Sequence, residues 1–106
     1  MRFHILEEKQ MRGIGFTDHV KSKWYFIKSI HPNITFNLTI HKNSLNGEID
    51  VLNERSLQPY DYQYYMNAYT REKLEFPHII HDKVQEIMSY LIEEGIISDY
   101  TLGSYI

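Results

Sequence analysis

Residues 34–41 decide the fold, and they read Ile34-Thr35-Phe36-Asn37-Leu38-Thr39-Ile40-His41. Apolar and polar side chains alternate without a break along this stretch. Successive side chains of a β-strand point to opposite faces of its sheet, so the alternation predicts a strand with one core face and one polar face.

The segments on either side predict further antiparallel strands. Residues 23–30 are rich in aromatic and β-branched types and end before Pro32, which cannot donate to a strand ladder. After residues 34–41, the Asn46-Gly47 pair suits the two positive-φ positions of a type I′ turn, and alternation resumes over residues 48–51. The sequence therefore predicts a β-hairpin here.

Two registers of this hairpin stay open. A two-residue turn at Asn46-Gly47 pairs Leu45 with Glu48 and hence Ile40 with Asn53. A longer loop sets Ile40 opposite Ile49 and Leu38 opposite Val51. Both registers keep the apolar side chains on the same face of the sheet.

The two ends of the chain carry weaker strand patterns. Residues 3–6 and 14–16 predict short strands, or two arms of one hairpin, with Gly13 and Gly15 allowing a bulge or a tight turn. Residues 98–106 predict either a short terminal strand or a docked tail.

An amphipathic helix is predicted from Pro77 onward. Apolar residues recur there at spacings of three and four, and they are Ile80, Val84, Ile87, Met88 and Leu91. Pro77 suits the first helical position, and Gly95 suits the left-handed residue after the end, from which Ile96 folds back onto Leu91. The expected fold class is α+β, with an N-terminal antiparallel sheet of about four strands packed by one or two C-terminal helices.

The tyrosine-rich segment over residues 57–69 allows two interpretations. A helix beginning at Pro59 puts Tyr62, Tyr65, Met66 and Tyr69 on one stripe. A strand instead alternates Tyr60, Tyr62 and Tyr64 with polar residues and breaks at Tyr65. The helix is the preferred interpretation, with Asp61 near its positive N-terminal end.

Length and composition limit the classes of protein. The 106 residues contain no cysteine and carry a net charge of −3, which indicates one α+β domain over residues 1–106 without disulfides or thiolate metal sites. No apolar run reaches the ~18 residues of a membrane span, and Glu7-Glu8 precede any run suited to a signal peptide. We expect a cytoplasmic protein that needs no cofactor and does not enter a membrane.

One stretch resembles known sequences. Residues 49–54, continuing through residues 57–63, are similar to a segment of small uncharacterised proteins from low-GC Gram-positive bacteria and their phages. The resemblance covers about fifteen residues of the chain. It implies a bacterial or phage-related origin and no particular chemistry.

Few residues suggest catalysis or metal binding. His78 and His81 lie three positions apart beside Asp82, which is close enough to share a metal, but no third ligand is nearby in the sequence. A surface histidine pair is the preferred interpretation. No nucleophile, phosphate-binding or dinucleotide-binding motif occurs, so no catalytic residue is predicted.

Three functions remain as hypotheses, and a small non-enzymatic protein-binding or regulatory module leads them. Its candidate anchors are aromatic side chains together with one carboxylate, namely Trp24, Tyr25, Tyr60, Asp61 and Tyr64. Nucleic-acid binding by the basic and aromatic N-terminal half is the alternative, although the net charge of −3 opposes it. A small enzyme without a recognisable motif is the third, and open sheet edges also allow a homodimer.

Overall fold

A computed structural model of the chain describes residues 1–62 and 75–103. Its helices and strands follow the order β1 (Arg2–Phe3), α1 (Glu8–Ile14), β2 (Lys23–His31), β3 (Ile34–His41), β4 (Gly47–Asn53), β5 (Gln58–Pro59), α2 (Glu75–Glu93) and β6 (Ile97–Ser98).

The central sheet has four antiparallel strands in the order β2-β3-β4-β5. A separate antiparallel ribbon joins the two ends of the chain, since β1 pairs with β6. The predicted α+β class with a four-stranded antiparallel sheet and a C-terminal helix is confirmed.

The core forms between one face of β3 and the apolar stripe of α2. Alternate residues of β3 are at most 3% exposed, and they are Ile34, Phe36, Leu38 and Ile40. All five stripe residues predicted for α2 are buried, and both sets belong to one hydrophobic cluster. Each fully buried aliphatic side chain contributes about 1.5–3 kcal/mol, so this packing stabilises the sheet and the helix together.

Both predicted registers of the β3–β4 hairpin are wrong. Ile40 pairs with Gly47 and Leu38 with Ile49, so residues 42–46 form the connection. The His41 N–H donates to the Asn46 carbonyl over 2.8 Å, and Leu45 adopts the positive φ of 60°. The shift from the longer-loop register is an even number of residues, so the apolar side chains keep the predicted face.

The N-terminal segment differs most from the prediction. Strand β1 covers Arg2–Phe3 and so overlaps the strand expected at residues 3–6 only at Phe3, and residues 8–14 form the unpredicted helix α1, which replaces the start of the strand expected at residues 14–16. The Glu7 N–H donates to the Gln10 side chain over 3.3 Å at the start of α1. Met11 is buried, and Gly15 ends the helix with φ 123°. Local capping and one buried contact therefore outweigh the short apolar runs that suggested strands.

The predicted C-terminal end of α2 is confirmed. Gly95 adopts φ 83°, the Ile96 N–H donates to the Leu91 carbonyl over 2.9 Å, and the Gly95 N–H donates to Ile92 over 3.1 Å. This is a Schellman motif. Pro77, however, is not the first helical residue, because α2 already includes Glu75 and Phe76.

The tyrosine-rich segment is only partly described. Pro59 belongs to β5, so a helix beginning at Pro59 is wrong. Tyr62 is buried, at 3% exposed, whereas the rest of the predicted stripe lies outside the described residues. The terminal strand β6 is Ile97–Ser98, slightly earlier than expected, and residue 106 is likewise outside the described part of the chain.

Candidate functional site

The outer edge of β2 is open beyond Tyr25. The Tyr25 N–H donates to the Thr17 carbonyl over 2.8 Å, and the Thr17 N–H donates back over 2.9 Å. The Tyr25 backbone therefore points away from β3. Because backbone groups alternate along an antiparallel strand, the N–H and C=O of Ile27 and Ser29 also point outward. Among the described residues, no backbone group pairs with them on that side.

The side chains along this edge are exposed as well. Residues 27–29 are all exposed, and Ile27 exposes 60% of its surface. At the opposite end of the sheet, β5 has two residues, and one of them is Pro59, which has no N–H to donate. Of the two edges of this described sheet, β2 is therefore the one able to accept a further strand.

A groove runs between the β2 edge and α2, and it consists of two clefts that share Lys28. The first cleft has a volume of about 270 Å³ and is lined by Ile14, Gly15, Phe26, Ile27, Lys28 and Tyr90. The second has a volume of about 300 Å³ and is lined by Lys28, Ser29, Ile30, Lys83, Glu86 and Ile87.

Lys28 is the one charged residue among the described residues that line the first cleft, and the others are Gly15 and apolar or aromatic residues. A Cβ atom on Gly15 would lie 3.3 Å from the Phe26 ring, so the glycine backbone packs closely against this buried ring. Tyr90 forms the helical wall, and its hydroxyl donates to the Ile14 carbonyl over 3.1 Å. This hydrogen bond ties α2 to the end of α1.

The second cleft carries a positive excess. The Lys83 ammonium lies 4.0 Å from the Glu86 carboxylate, which is a loose contact between exposed side chains. Lys28 is exposed and forms none of the ion pairs found among the described residues. Two ammonium groups thus face one carboxylate at this end of the groove.

Trp24 is not an exposed anchor, and that prediction is wrong. Its side chain is 4% exposed, with the Lys42 ammonium 4.5 Å from the ring centroid and the Arg12 guanidinium 5.4 Å from it. Trp24 pairs with Ile40 on the core face of the sheet, which explains its burial.

The cations over Trp24 are held by an internal carboxylate. Arg12 donates to Asp18 over 2.6 Å and Lys42 over 3.1 Å, while Lys21 lies 3.9 Å away. The hydrogen bonds from Arg12 and then Lys42 hold the pKa of the Asp18 carboxyl below its ordinary value. These basic groups therefore serve the fold, which weakens the argument that they contact nucleic-acid phosphates.

The other predicted anchors do not form one patch. Tyr25 is partly buried and stacks on His19 at 4.6 Å between ring centroids. Tyr60 is also partly buried and meets Phe76 edge to face at 5.5 Å. Asp61 is exposed and lines a cleft of about 220 Å³ beside β4. This cleft lies toward the β5 edge of the sheet, which is opposite the β2 edge.

Tyr64 lies outside the described residues, so its role as an anchor stays a prediction. His78 is exposed, whereas His81 is partly buried with its ring 5.9 Å from that of Tyr62. Within residues 1–62 and 75–103, no three His, Cys, Asp or Glu side chains are grouped as metal ligands.

The β2 edge was missed, although the sequence holds a signal for it. Trp24 and Phe26 fall on one face of the strand, and Lys28 follows on the same face. An inward-pointing lysine in an otherwise apolar alternation is a known mark of an edge strand. The pattern could have identified the edge, but the groove depends on where α2 lies.

Comparisons with known proteins support the fold. No protein-family model matches the chain, and no curated protein matches it either. The fold is similar to that of a DUF1831 family protein from Lactobacillus plantarum, with a TM-score of 0.68 and 12% sequence identity. The match covers 92% of this chain and 83% of that one.

The described helices include none that is long and apolar enough to cross a membrane. The source of the structural neighbour, a low-GC Gram-positive bacterium, agrees with the bacterial resemblance of residues 49–63. At this level of identity the likeness establishes a shared α+β architecture.

Proposed function

We propose that the chain is a protein-binding module that takes an extended segment of a partner protein as an added strand on the edge of β2. The observation that carries this proposal is the outward backbone of Ile27 and Ser29, with four groups that no described residue satisfies. An extended peptide supplies donors and acceptors at the matching spacing.

The number of open backbone groups on the β2 edge determines the affinity expected for a peptide. Four backbone hydrogen bonds contribute about 0.5–1.5 kcal/mol each, and side chains seated in the groove add to them. Ordering a flexible peptide opposes both terms. We therefore expect dissociation constants on the order of 10–100 µM, which suits a reversible regulatory contact.

A second copy of the chain fits this edge less well. Two β2 strands paired antiparallel about Lys28 would set the two lysines opposite each other, which destabilises a strand pair. Pairing centred on Ile27 would instead bring Ser29 against Tyr25, whose backbone is already bonded to Thr17. A foreign segment avoids both conflicts.

The sequence and the structural neighbour also support a cellular compartment and a source for this protein-binding module. A chain without cysteine suits a reducing cytoplasm, and the Lactobacillus origin of the structural neighbour supports a bacterial or phage-related source.

Selection of random twelve-residue peptides by display on the purified chain tests the proposal without assuming a ligand. Enriched peptides are then measured against wild type, Ile27→Pro and Ile27→Thr. Proline removes an outward N–H that has no partner in the β2–β3 ladder, so the sheet is retained while the edge is blocked. Threonine keeps that N–H and the preference for a strand.

We expect Ile27→Pro to weaken binding at least about tenfold and Ile27→Thr to leave it within about twofold, with both variants folded by circular dichroism. N-methylation of the enriched peptides gives a second test, because only alternate amides of an added strand point at β2. The absence of enriched peptides, equal binding by Ile27→Pro, or a homodimer that Ile27→Pro dissociates would each overturn the proposal.

A further inference from the structure

We infer that the groove selects an acidic residue followed, two positions later, by a large apolar residue. This inference rests on the strand addition proposed above and adds the side-chain chemistry of the partner. It depends on the order of the two clefts along β2, on the different numbers of charged residues that line them, and on the direction of the added strand.

The order of the two clefts follows the alternate residues Phe26, Lys28 and Ile30 of β2. Every second side chain of a strand lies on the same face, about 6.8 Å apart. Lys28 pairs with the buried Phe36, so its side chain lies on the α2 face of the sheet. Both clefts include Lys28, with Phe26 lining one and Ile30 lining the other, so the clefts follow one another along β2.

The first cleft suits a large apolar side chain. Its lining includes Ile14, Ile27 and the Tyr90 side chain, together with the buried Phe26 and the side-chain-free Gly15 that packs against it. Burial of a leucine or phenylalanine there removes apolar surface of both partners from water.

The second cleft suits a carboxylate. Lys28 and Lys83 both line it, and Glu86 is the one acid among the described residues that does. An acidic side chain placed between the two ammonium groups restores charge balance at that end of the groove.

The direction of the added strand fixes the order of the two residues. Every strand pairing among the described residues is antiparallel, including the bridge from Thr17 to Tyr25 on this same edge. Antiparallel pairing is also the more stable arrangement. A segment antiparallel to β2 passes Ile30 before Phe26, so it meets the lysines first and the aromatic cleft second.

Synthetic peptides test this order directly. The probes are acetylated, amidated eight-residue threonine peptides with the central sequences Glu-Thr-Leu, Gln-Thr-Leu, Glu-Thr-Thr and the reversed Leu-Thr-Glu. We expect Glu-Thr-Leu to bind most tightly by titration calorimetry. Loss of the charge should weaken binding by about threefold, and loss of the leucine or reversal of the order by about tenfold.

A charge reversal in the protein gives the matched test. Lys83→Glu should abolish the preference for Glu-Thr-Leu over Gln-Thr-Leu, whereas Arg55→Glu, in the exposed turn before β5, should retain it. Equal binding of all four peptides that Ile27→Pro still weakens would overturn the side-chain assignment and leave strand addition intact. Tighter binding of the reversed peptide would overturn the antiparallel order, and no binding by any peptide would overturn both proposals.

Discussion

The ring of Phe3 occupies the space that a side chain at position 47 would need. A Cβ atom on Gly47 would lie 2.5 Å from the Cδ2 and Cε2 atoms of Phe3, which is far inside van der Waals contact. Gly47 pairs with Ile40 on the core face of the sheet, so Phe3 completes that face from the N-terminal ribbon. The glycine is thus required for close packing and not for a turn.

Gly47→Ala should destabilise the protein by about 1–3 kcal/mol, because the Phe3 ring must move. Denaturant unfolding measures this free energy, and Phe3→Ala supplies the control background. In the Phe3→Ala background, Gly47→Ala should leave the free energy of unfolding unchanged or raise it slightly. The same loss in both backgrounds would show that the contact does not explain the glycine.

Adjacent isoleucines in α2 give a second prediction. Ile80 is 0% exposed and Ile79 is 43% exposed. Ile80→Ala should lower the free energy of unfolding by about 2–5 kcal/mol through a core cavity. Ile79→Ala should change it by less than about 0.5 kcal/mol. Comparable losses at the two positions would contradict the orientation of the helix.

Two glycines should respond to alanine in opposite directions. Gly95 has φ 83° in the Schellman motif, so Gly95→Ala should destabilise the protein by about 1–2 kcal/mol. Gly13 lies inside α1, and a Cβ atom added to it would have open space around it. Gly13→Ala should therefore stabilise the protein by about 0.5–1 kcal/mol, as measured by thermal and denaturant unfolding.

Asp18 makes the stability dependent on acid pH. Its pKa is lower in the folded chain, where Arg12 and Lys42 bind the carboxylate, than in the unfolded chain. The unfolded state therefore binds the proton more readily. The contribution of Asp18 is complete above the unfolded value of about 3.9 and is lost as the pH falls through the lower folded value.

Asp18→Asn should accordingly be less stable than wild type at pH 6, and the difference should shrink as the pH approaches 2.5. Urea unfolding of both proteins across this range provides the measurement. A difference that stays constant with pH would assign the effect to packing and not to the ion pairs.

The elements that the sequence predicted well are those whose pattern is local. Alternation over residues 34–41 identified β3, and the three- and four-residue spacing from Ile80 to Leu91 identified the buried stripe of α2. Gly95 marked the helix end correctly because a left-handed residue is a local requirement. These features need no knowledge of distant contacts.

The failures depend on contacts between distant residues. The hairpin register was wrong because Asn46-Gly47 reads as a turn, whereas Gly47 is kept free of a side chain by Phe3. Trp24 was a candidate anchor because it is a large aromatic residue, yet it is buried beneath cations that Asp18 binds. For the candidate site, Lys28 in an apolar alternation indicates that β2 is an edge strand. The groove could not be predicted, because it depends on where α2 packs.

The pairing of β1 with β6 joins opposite ends of the described chain, and this has a consequence for the order of folding. During synthesis, Phe3 leaves the ribosome long before Ile97 exists, and bringing such distant residues together has a large loop-closure entropy. We expect the ribbon to close after the sheet and α2 have formed. Native-state hydrogen exchange should then show the amides of β1 opening more readily than those of β3.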